Sequence, residues 1–299
     1  MAVLKVYTKI NTLYKRYAFD AKECPNKKWL KMRNKIILGD FSDETAKYLY
    51  DCLWEAYSKI DGTNSKIAFY PSTQEIVVGG KTPSANSMHG QFEMLQEIGE
   101  RIKPMLCEMF PKESARFEPL KENNKVLMFD ENGEIMTIAN SGRYVVTMNF
   151  IETPIYIYGE YCGEGIQKCG TRYIKDGNDF VVFDICQQGW WLPKEKRDEM
   201  CKALGLKQVP YLGVMTLREI EEMVKNGFAT KFDGASDLAM IEEGIVARPI
   251  VPIFGDSRGS RIIVKVKYCD YAEYDAARKE FTDEEFKEFE DWYQEHKLM

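Results

Sequence analysis

Lys59-Ile60-Asp61-Gly62-Thr63-Asn64 runs directly into Ser65-Lys66-Ile67-Ala68-Phe69-Tyr70. A lysine stands two residues before an Asp-Gly turn, and a strand-like run leaves that turn. A lysine fixed at the mouth of a sheet in this way is a candidate nucleophile. A lysine is ordinarily protonated at neutral pH, and its amine attacks only when burial or nearby positive charge favours the neutral form. The stretch therefore predicts cations that fold back onto Lys59, carboxylates for a metal, and a platform for a base. By itself Lys-x-Asp-Gly arises by chance in about one chain of this length in ten. A second copy, Lys231-Phe232-Asp233-Gly234, serves as the internal control.

Outward from the lysine, Trp54–Ser58 reads as the strand leading in, and Glu75–Val78 as a strand returning after the Pro71–Gln74 turn. Gly79-Gly80-Lys81-Thr82-Pro83 then breaks the pattern. Ser42 and Asp43 can cap a helix reaching Leu53, and residues 1–40 read as irregular, with extended pieces near Val3–Tyr7 and Lys35–Leu38. Phe92, Leu95, Ile98, Ile102, Leu106 and Met109 recur at helical spacing and predict an amphipathic helix over 88–110, with Pro104 a possible kink. Val126–Phe129 and Glu134–Ile138 predict a hairpin, while Ile155–Tyr161, Phe180–Ile185 and Ile262–Val266 predict strands. Capping boxes at Thr216-Leu217-Arg218-Glu219 and Thr282-Asp283-Glu284-Glu285 open two helices, the first closed by Gly227, the second stapled by Phe281 and Phe286. Hairpins with helices laid on them give an α+β class built on antiparallel sheets.

The chain has 299 residues, 44% hydrophobic and 13% aromatic, enough for one large domain or two smaller ones. It contains no apolar run long enough to span a membrane. Met1–Ile10 lacks a signal peptide's apolar core. Eight cysteines stand singly with no Cys-x-x-Cys pair, which argues against structural zinc and suits reduced thiols in a cytoplasm. With two histidines far apart, His89 and His296, histidine-based catalysis has little support. The net charge of −6 hides an asymmetry: residues 1–35 carry ten Lys/Arg against Asp20 and Glu23, and residues 270–299 carry eleven Asp/Glu against four Lys/Arg. The basic segment is interleaved with Tyr7, Tyr14, Tyr17, Phe19 and Trp29. Such a pattern suits a nucleic-acid strand, or equally a solvated face whose rings anchor into a core.

Four later features matter by their order. Glu160 lies in Tyr158-Gly159-Glu160-Tyr161, read as the end of a strand. In Phe180-Val181-Val182-Phe183-Asp184-Ile185, alternation puts Val181, Phe183 and Ile185 on one face. Glu242-Glu243-Gly244-Ile245-Val246-Ala247-Arg248 sets an acid ahead of a strand. Lys265-Val266-Lys267 places two cations on one strand face, about 7 Å apart, which is costly unless an anion sits between them. Singly, each has a plain structural reading.

As an ordered set they resemble the covalent nucleotidyltransferases, the polynucleotide ligases and capping guanylyltransferases, from about residue 54 to 267. Lys59 has every element after it in the family's order, whereas Lys231 has only Glu243 and Lys265/Lys267. Lys59–Asn64 and Gly163-Glu164-Gly165-Ile166-Gln167-Lys168 are similar to RNA ligases of the phage type-2 kind. Lys81 departs from that pattern, standing where related RNA ligases often carry arginine, and loses the bidentate fork. Only 32 residues follow Lys267, too few for an OB barrel and shorter than the helical domain of type-2 ligases; they read as one helix.

The resemblance implies a nucleotidyltransferase domain over 1–268 and a short helical extension over 269–299. It implies an ATP-dependent, RNA-repair type of ligase, acting as a monomer on RNA 5′-phosphate and 3′-hydroxyl ends through lysyl-AMP on Lys59. Lys265 and Lys267 would neutralise the α-phosphate, and Glu243 with Asp61 would hold Mg²⁺ or Mn²⁺. Glu160 would accept the ribose hydroxyls, and Phe183 would stack on adenine, with Phe180 as the fallback. Asn64, Lys81, Lys168 and Arg248 would complete the nucleotide contacts. Alternatives are a GTP-dependent capping guanylyltransferase and a non-catalytic module that grips RNA through the basic segment.

Overall fold

The computed structural model of the chain describes residues 7–82, 85, 87, 90–112, 154–167, 170–187, 190–233, 235–254 and 261–298, with the backbone of 117–119, 128–129, 135–136 and 150–152. The chain divides into two compact units, one holding Thr63–Tyr161 and Asn178–Gln208, the other Tyr7–Gly62, Cys162–Gly177 and Val209–Met299. It passes from the second to the first at Gly62–Thr63, three residues after Lys59. The Asp-Gly turn is thus a link between two sheets and not a hairpin. Gly62 does not need the left-handed backbone that such a hairpin turn would demand.

The unit that begins at Thr63 is built on a sheet ordered Trp190–Trp191, Asn178–Gln187, Ile155–Gly163, Thr63–Tyr70, Glu75–Gly80. Those neighbours whose register is fixed run antiparallel; Lys207–Gln208 adds a short parallel pairing to Asn178–Gln187. Ile67, Phe69, Ile155, Ile157, Phe180 and Val182 pack one face onto the helices Gln91–Met109 and Lys194–Leu204. The first of these helices buries Leu95, Ile98, Ile102 and Leu106 at the expected spacing and runs unbroken through Pro104. By strand alternation Asn64, Lys66, Tyr156, Tyr158 and Glu160 fall on the opposite face. The hairpin expected near residue 130 is present as Met128–Phe129 against Ile135–Met136; its remaining residues lie outside those described.

The other unit carries a five-stranded sheet, ordered Asn11–Thr12, Val264–Lys267, Gly244–Pro249, Leu53–Ser58, Tyr211–Thr216. All its pairs are antiparallel except Asn11–Thr12 with Val264–Lys267. Trp54, Ala56, Ile245, Ala247, Val264 and Val266 bury one face against the helix Leu217–Asn226. The Thr216 capping box that opens this helix is formed, and Gly227 closes it. Asp43 caps only a short helix, Glu44–Tyr48, because the chain must turn at Cys52 to enter the strand at Leu53.

Behind this sheet Glu221, 5% exposed, accepts hydrogen bonds from Tyr14 (2.8 Å) and Tyr50 and pairs with Lys225 at 2.7 Å. Burial would raise its pKa, but Lys225 and the two hydroxyls outweigh that and hold it below the ordinary carboxylate range. A carboxyl depressed in the folded state contributes stability above its unfolded pKa and loses it as pH falls through the folded one. The wild-type chain should therefore exceed Glu221→Gln in urea midpoint at pH 7. That margin should shrink below about pH 4.3, the ordinary glutamate value; a margin constant from pH 7 to 3 would show that the charge of Glu221 contributes nothing.

After Lys267 the described chain forms two helices, Tyr268–Arg278 and Asp283–His296, where the sequence suggested one. The second opens with the expected capping box, and the Phe281 and Phe286 rings meet at 6.0 Å. Together they close over the basic N-terminal segment. Tyr17, Phe19, Met32, Phe281, Phe286 and Phe289 share one core. Lys28 pairs with Glu285 (2.5 Å), Lys35 with Glu273 (2.6 Å), Arg16 with Asp270 (2.7 Å), and Lys31 with Glu280. The rings that read as possible base-stacking platforms are packing anchors, and much of the basic charge is matched by the acidic tail. The pairs on the surface, Lys31–Glu280 and Lys35–Glu273, add little stability singly; the aromatic core carries the clamp.

Candidate active site

The sheet of the second unit turns its other face to the chemistry. Tyr57 pairs with Val246, which pairs with Lys265, and Gly244 pairs with Lys267. Alternation therefore puts Tyr57, Val246, Arg248, Lys265 and Lys267 on the face away from the core. Lys59, two residues beyond Tyr57, continues that row, and its backbone N–H donates to the Gly244 carbonyl at 2.9 Å.

The Glu243 carboxylate lies between the two cations. Its Oε2 accepts from Lys59 Nζ at 2.5 Å and its Oε1 pairs with Lys267 Nζ at 2.5 Å. The three side chains are only 14–26% exposed. Burial lowers the pKa of Lys267, but the hydrogen bond and charge of Glu243 outweigh it and the net shift is upward. The close fit depends on Gly244: a Cβ there would sit 2.0 Å from the Val266 carbonyl oxygen, so only glycine lets the Glu243 backbone approach the Lys267 strand. This is the physical content of the Glu-Gly pair in the sequence.

A cleft of about 740 Å³ opens beside this cluster, lined by Asp61, Glu242, Glu243 and Lys267 together with Arg172, Tyr173, Met240 and Tyr268. Tyr173 and Glu242, which the sequence did not single out, lie buried in its wall, and the Tyr173 hydroxyl donates to Glu242. Neither carries a motif signal, and their proximity arises only in the fold. Among the described residues no three acidic, histidine or cysteine side chains form a ready metal cage. Mg²⁺ rarely needs one: it keeps several waters and takes one or two carboxylates plus substrate phosphates. Glu243 and Asp61, hard oxygen donors on one cleft, fit such an ion.

Glu160, Asn64, Lys81, Phe180 and Phe183 belong to the first unit. Glu160 is opposite Asn64 in the register, and it is a half-buried mid-strand acid, since the strand runs on to Gly163. Lys81 is exposed and follows Gly80, the partner of Ser65, so Glu160, Asn64 and Lys81 fall in one row across the sheet end. Phe180 is a packing residue, 1% exposed in the helix-side core, and a Cβ on Gly159 would meet its ring at 2.5 Å. Phe183 is half-buried and outside that core. Ile185 joins the same core as Val182, so the strict alternation expected here slips by one residue. Arg248 is 8% exposed, its guanidinium 4.9 Å from the Tyr57 ring centre. Lys168 lies outside the described residues.

The RNA ligase family model matches residues 53–267. The chain belongs to the RNA ligase family. That match covers the lysine strand, the Glu243 strand and the Lys265–Lys267 strand in a single span. No curated protein matches the sequence. Among solved structures, a Naegleria gruberi RNA ligase with pyrophosphate is 16% identical with a TM-score of 0.46, covering 93% of this chain and 64% of that one. A variant of that ligase with ATP and manganese is 15% identical at a TM-score of 0.47, covering 92% and 64%. An apo variant is 16% identical at 0.45, covering 78% and 54%. This chain thus spans a little over half to under two thirds of the length of those ligase chains. No helix among the described residues is long and apolar enough to cross a membrane.

Proposed function

We propose that this RNA ligase family member uses ATP to join a 5′-phosphate to a 3′-hydroxyl RNA end through a lysyl-AMP on Lys59. One observation carries the reading: Lys59 and Lys267, distant in sequence, donate to the two oxygens of the same Glu243 carboxylate. In that state the Lys59 nitrogen is engaged with Glu243 and not with a phosphorus. To react, Lys59 sheds one proton to solvent, its nitrogen forms a bond to the α-phosphorus as the bond from phosphorus to pyrophosphate breaks, and the nitrogen gives up a second proton to leave the neutral phosphoamide.

Lys265 and Lys267 then counter the charge that grows on the phosphate oxygens. A divalent ion at Glu243 and Asp61, when bound, would polarise the phosphate and add positive charge near the amine. Lys267, released from Glu243, would be available to the phosphate. Glu160, Asn64 and Phe183 are assigned to the ribose and adenine; Lys81, Arg248 and Lys168 to phosphates. The AMP passes next to the RNA 5′-phosphate, making a phosphoanhydride, and the 3′-hydroxyl displaces AMP to leave a phosphodiester. Rigid strands suit an in-line displacement, which depends chiefly on positioning.

The test is to incubate the chain with labelled ATP or GTP and magnesium, resolve it under denaturing conditions, and then add RNA bearing the two ends. Label from ATP that chases into joined RNA supports the proposal. Label from GTP alone favours a capping enzyme, and no covalent label at all rejects the reading.

A further inference from the structure

The tripeptide Glu242-Glu243-Gly244 touches the Lys59 loop at more than its reacting amine. Gly244 accepts the Lys59 backbone N–H at 2.9 Å, and Glu243 holds the Lys59 amine at 2.5 Å. Ile60, between Lys59 and Asp61, is 2% exposed and pinned in the interior. The third link runs through Tyr173, 1% exposed: its hydroxyl donates to a Glu242 oxygen, and the Asp61 backbone N–H faces the same hydroxyl oxygen. Glu242 itself is 1% exposed, and its Oε2 makes no hydrogen bond among the described residues, although the Ser58 and Thr230 hydroxyls lie near its carboxyl.

Tyr173 is in turn held from behind. Arg172 pairs with Asp237 at 2.7 Å, the Ser236 hydroxyl donates to the Thr171 carbonyl at 2.6 Å, and the Asp237 N–H donates to the Arg172 carbonyl at 3.1 Å. Phe232, 3% exposed, lies edge-on to the Tyr173 ring at 6.2 Å. The second Lys-x-Asp-Gly copy therefore has a packing job: its buried aromatic supports the tyrosine, while Lys231 is exposed.

We propose that Tyr173 and Glu242 form a positioning latch, in which the tyrosine hydroxyl, oriented by the buried acid, fixes the Asp61 backbone and so aims the Lys59 amine along the line of attack. Burying a carboxylate and a hydroxyl costs free energy unless their bonds are made. Here the Tyr173–Glu242 bond stands in the cleft wall that Asp61 also lines, two residues from the proposed nucleophile. Neither residue touches the reacting atoms. The latch rests on the ligase reading and acts on one step of it, the attack of Lys59 on ATP. Joining a pre-adenylylated RNA end bypasses that attack.

The test measures both steps in the full chain carrying Tyr173→Phe: single-turnover formation of the covalent AMP adduct across ATP concentrations, and joining of chemically pre-adenylylated RNA. The expected result is adduct formation slowed about tenfold or more at saturating ATP, since small misalignments are that costly. Half-saturation by ATP and the pre-adenylylated joining rate should stay at wild-type values. Wild-type adduct formation, or equal slowing of both steps, overturns the latch. If Tyr173→Phe does not fold, Glu242→Met is read instead; it removes the acceptor and leaves the tyrosine in place. Selective slowing of the first step supports the latch, and wild-type rates in both, or equal slowing of both, overturn it. Absence of any adduct in the unaltered chain would instead reject the ligase reading itself.

Discussion

Lys59→Ala is expected to form no covalent AMP adduct, while Lys231→Ala labels as fully as the unaltered chain. The two lysines share the same local sequence, so the contrast isolates what the fold adds. Lys59 follows the strand Leu53–Ser58 in a sheet whose outer face carries Lys265 and Lys267, and its amine is fixed on Glu243. Lys231 is exposed in a connecting segment whose buried member is Phe232. Removing an exposed lysine away from any network changes stability by about 0.5 kcal/mol or less, so its variant should fold and react normally. Removing Lys59 deletes the atom proposed to carry the phosphoamide, and the loss should be complete. Adduct on Lys59→Ala, read by denaturing gel with labelled ATP, would end the assignment.

Glu243→Ala should slow adduct formation by roughly 100-fold or more, the scale seen when a preorganised electrostatic group is removed. Two effects act together. The variant deletes the carboxylate that separates Lys59 from Lys267, leaving two ammonium groups facing each other at a half-buried site. It also deletes the oxygen donor proposed for the divalent ion. Single-turnover rates measured over a range of magnesium and manganese should stay low even at high metal, because the donor is gone and not merely weakened. Recovery to wild-type rates at raised metal would place the ion elsewhere and would remove Glu243 from the mechanism.

Much of this was legible before the fold was known, for reasons of period. A two-residue repeat put Lys265 and Lys267 on one face whatever the rest of the chain did. The two capping boxes are local chemistry, and both formed. Helical spacing found Leu95, Ile98, Ile102 and Leu106 because a 3.6-residue period needs no tertiary knowledge. The helix Tyr268–Arg278 was missed because it starts directly after a strand. Its N-cap is Lys267, which supplies no side-chain cap, and no breaker marks the change. Glu160 reads as the end of a strand closing at Tyr161, whereas the strand runs on to Gly163.

The basic N-terminal segment was ambiguous for a deeper reason. Charge along a sequence does not name its partner, and the acidic tail that meets Lys28, Lys31 and Lys35 is some 240–260 residues away, a pairing visible only once the Phe19 and Phe289 core is assembled. Tyr173 and Glu242 were unreadable on the same ground. A lone tyrosine and the first of two glutamates carry no spacing signal, and only the fold stitches 170–173 to 236–242.

The account stands on Lys59 being the amine that shares Glu243 with Lys267 and takes the nucleotide. Mass-spectrometric peptide mapping of the unaltered chain after reaction with ATP and magnesium measures this directly. The predicted result is a single AMP-bearing peptide with the added mass on Lys59; AMP on Lys231, on Lys267 or on any other residue would contradict it.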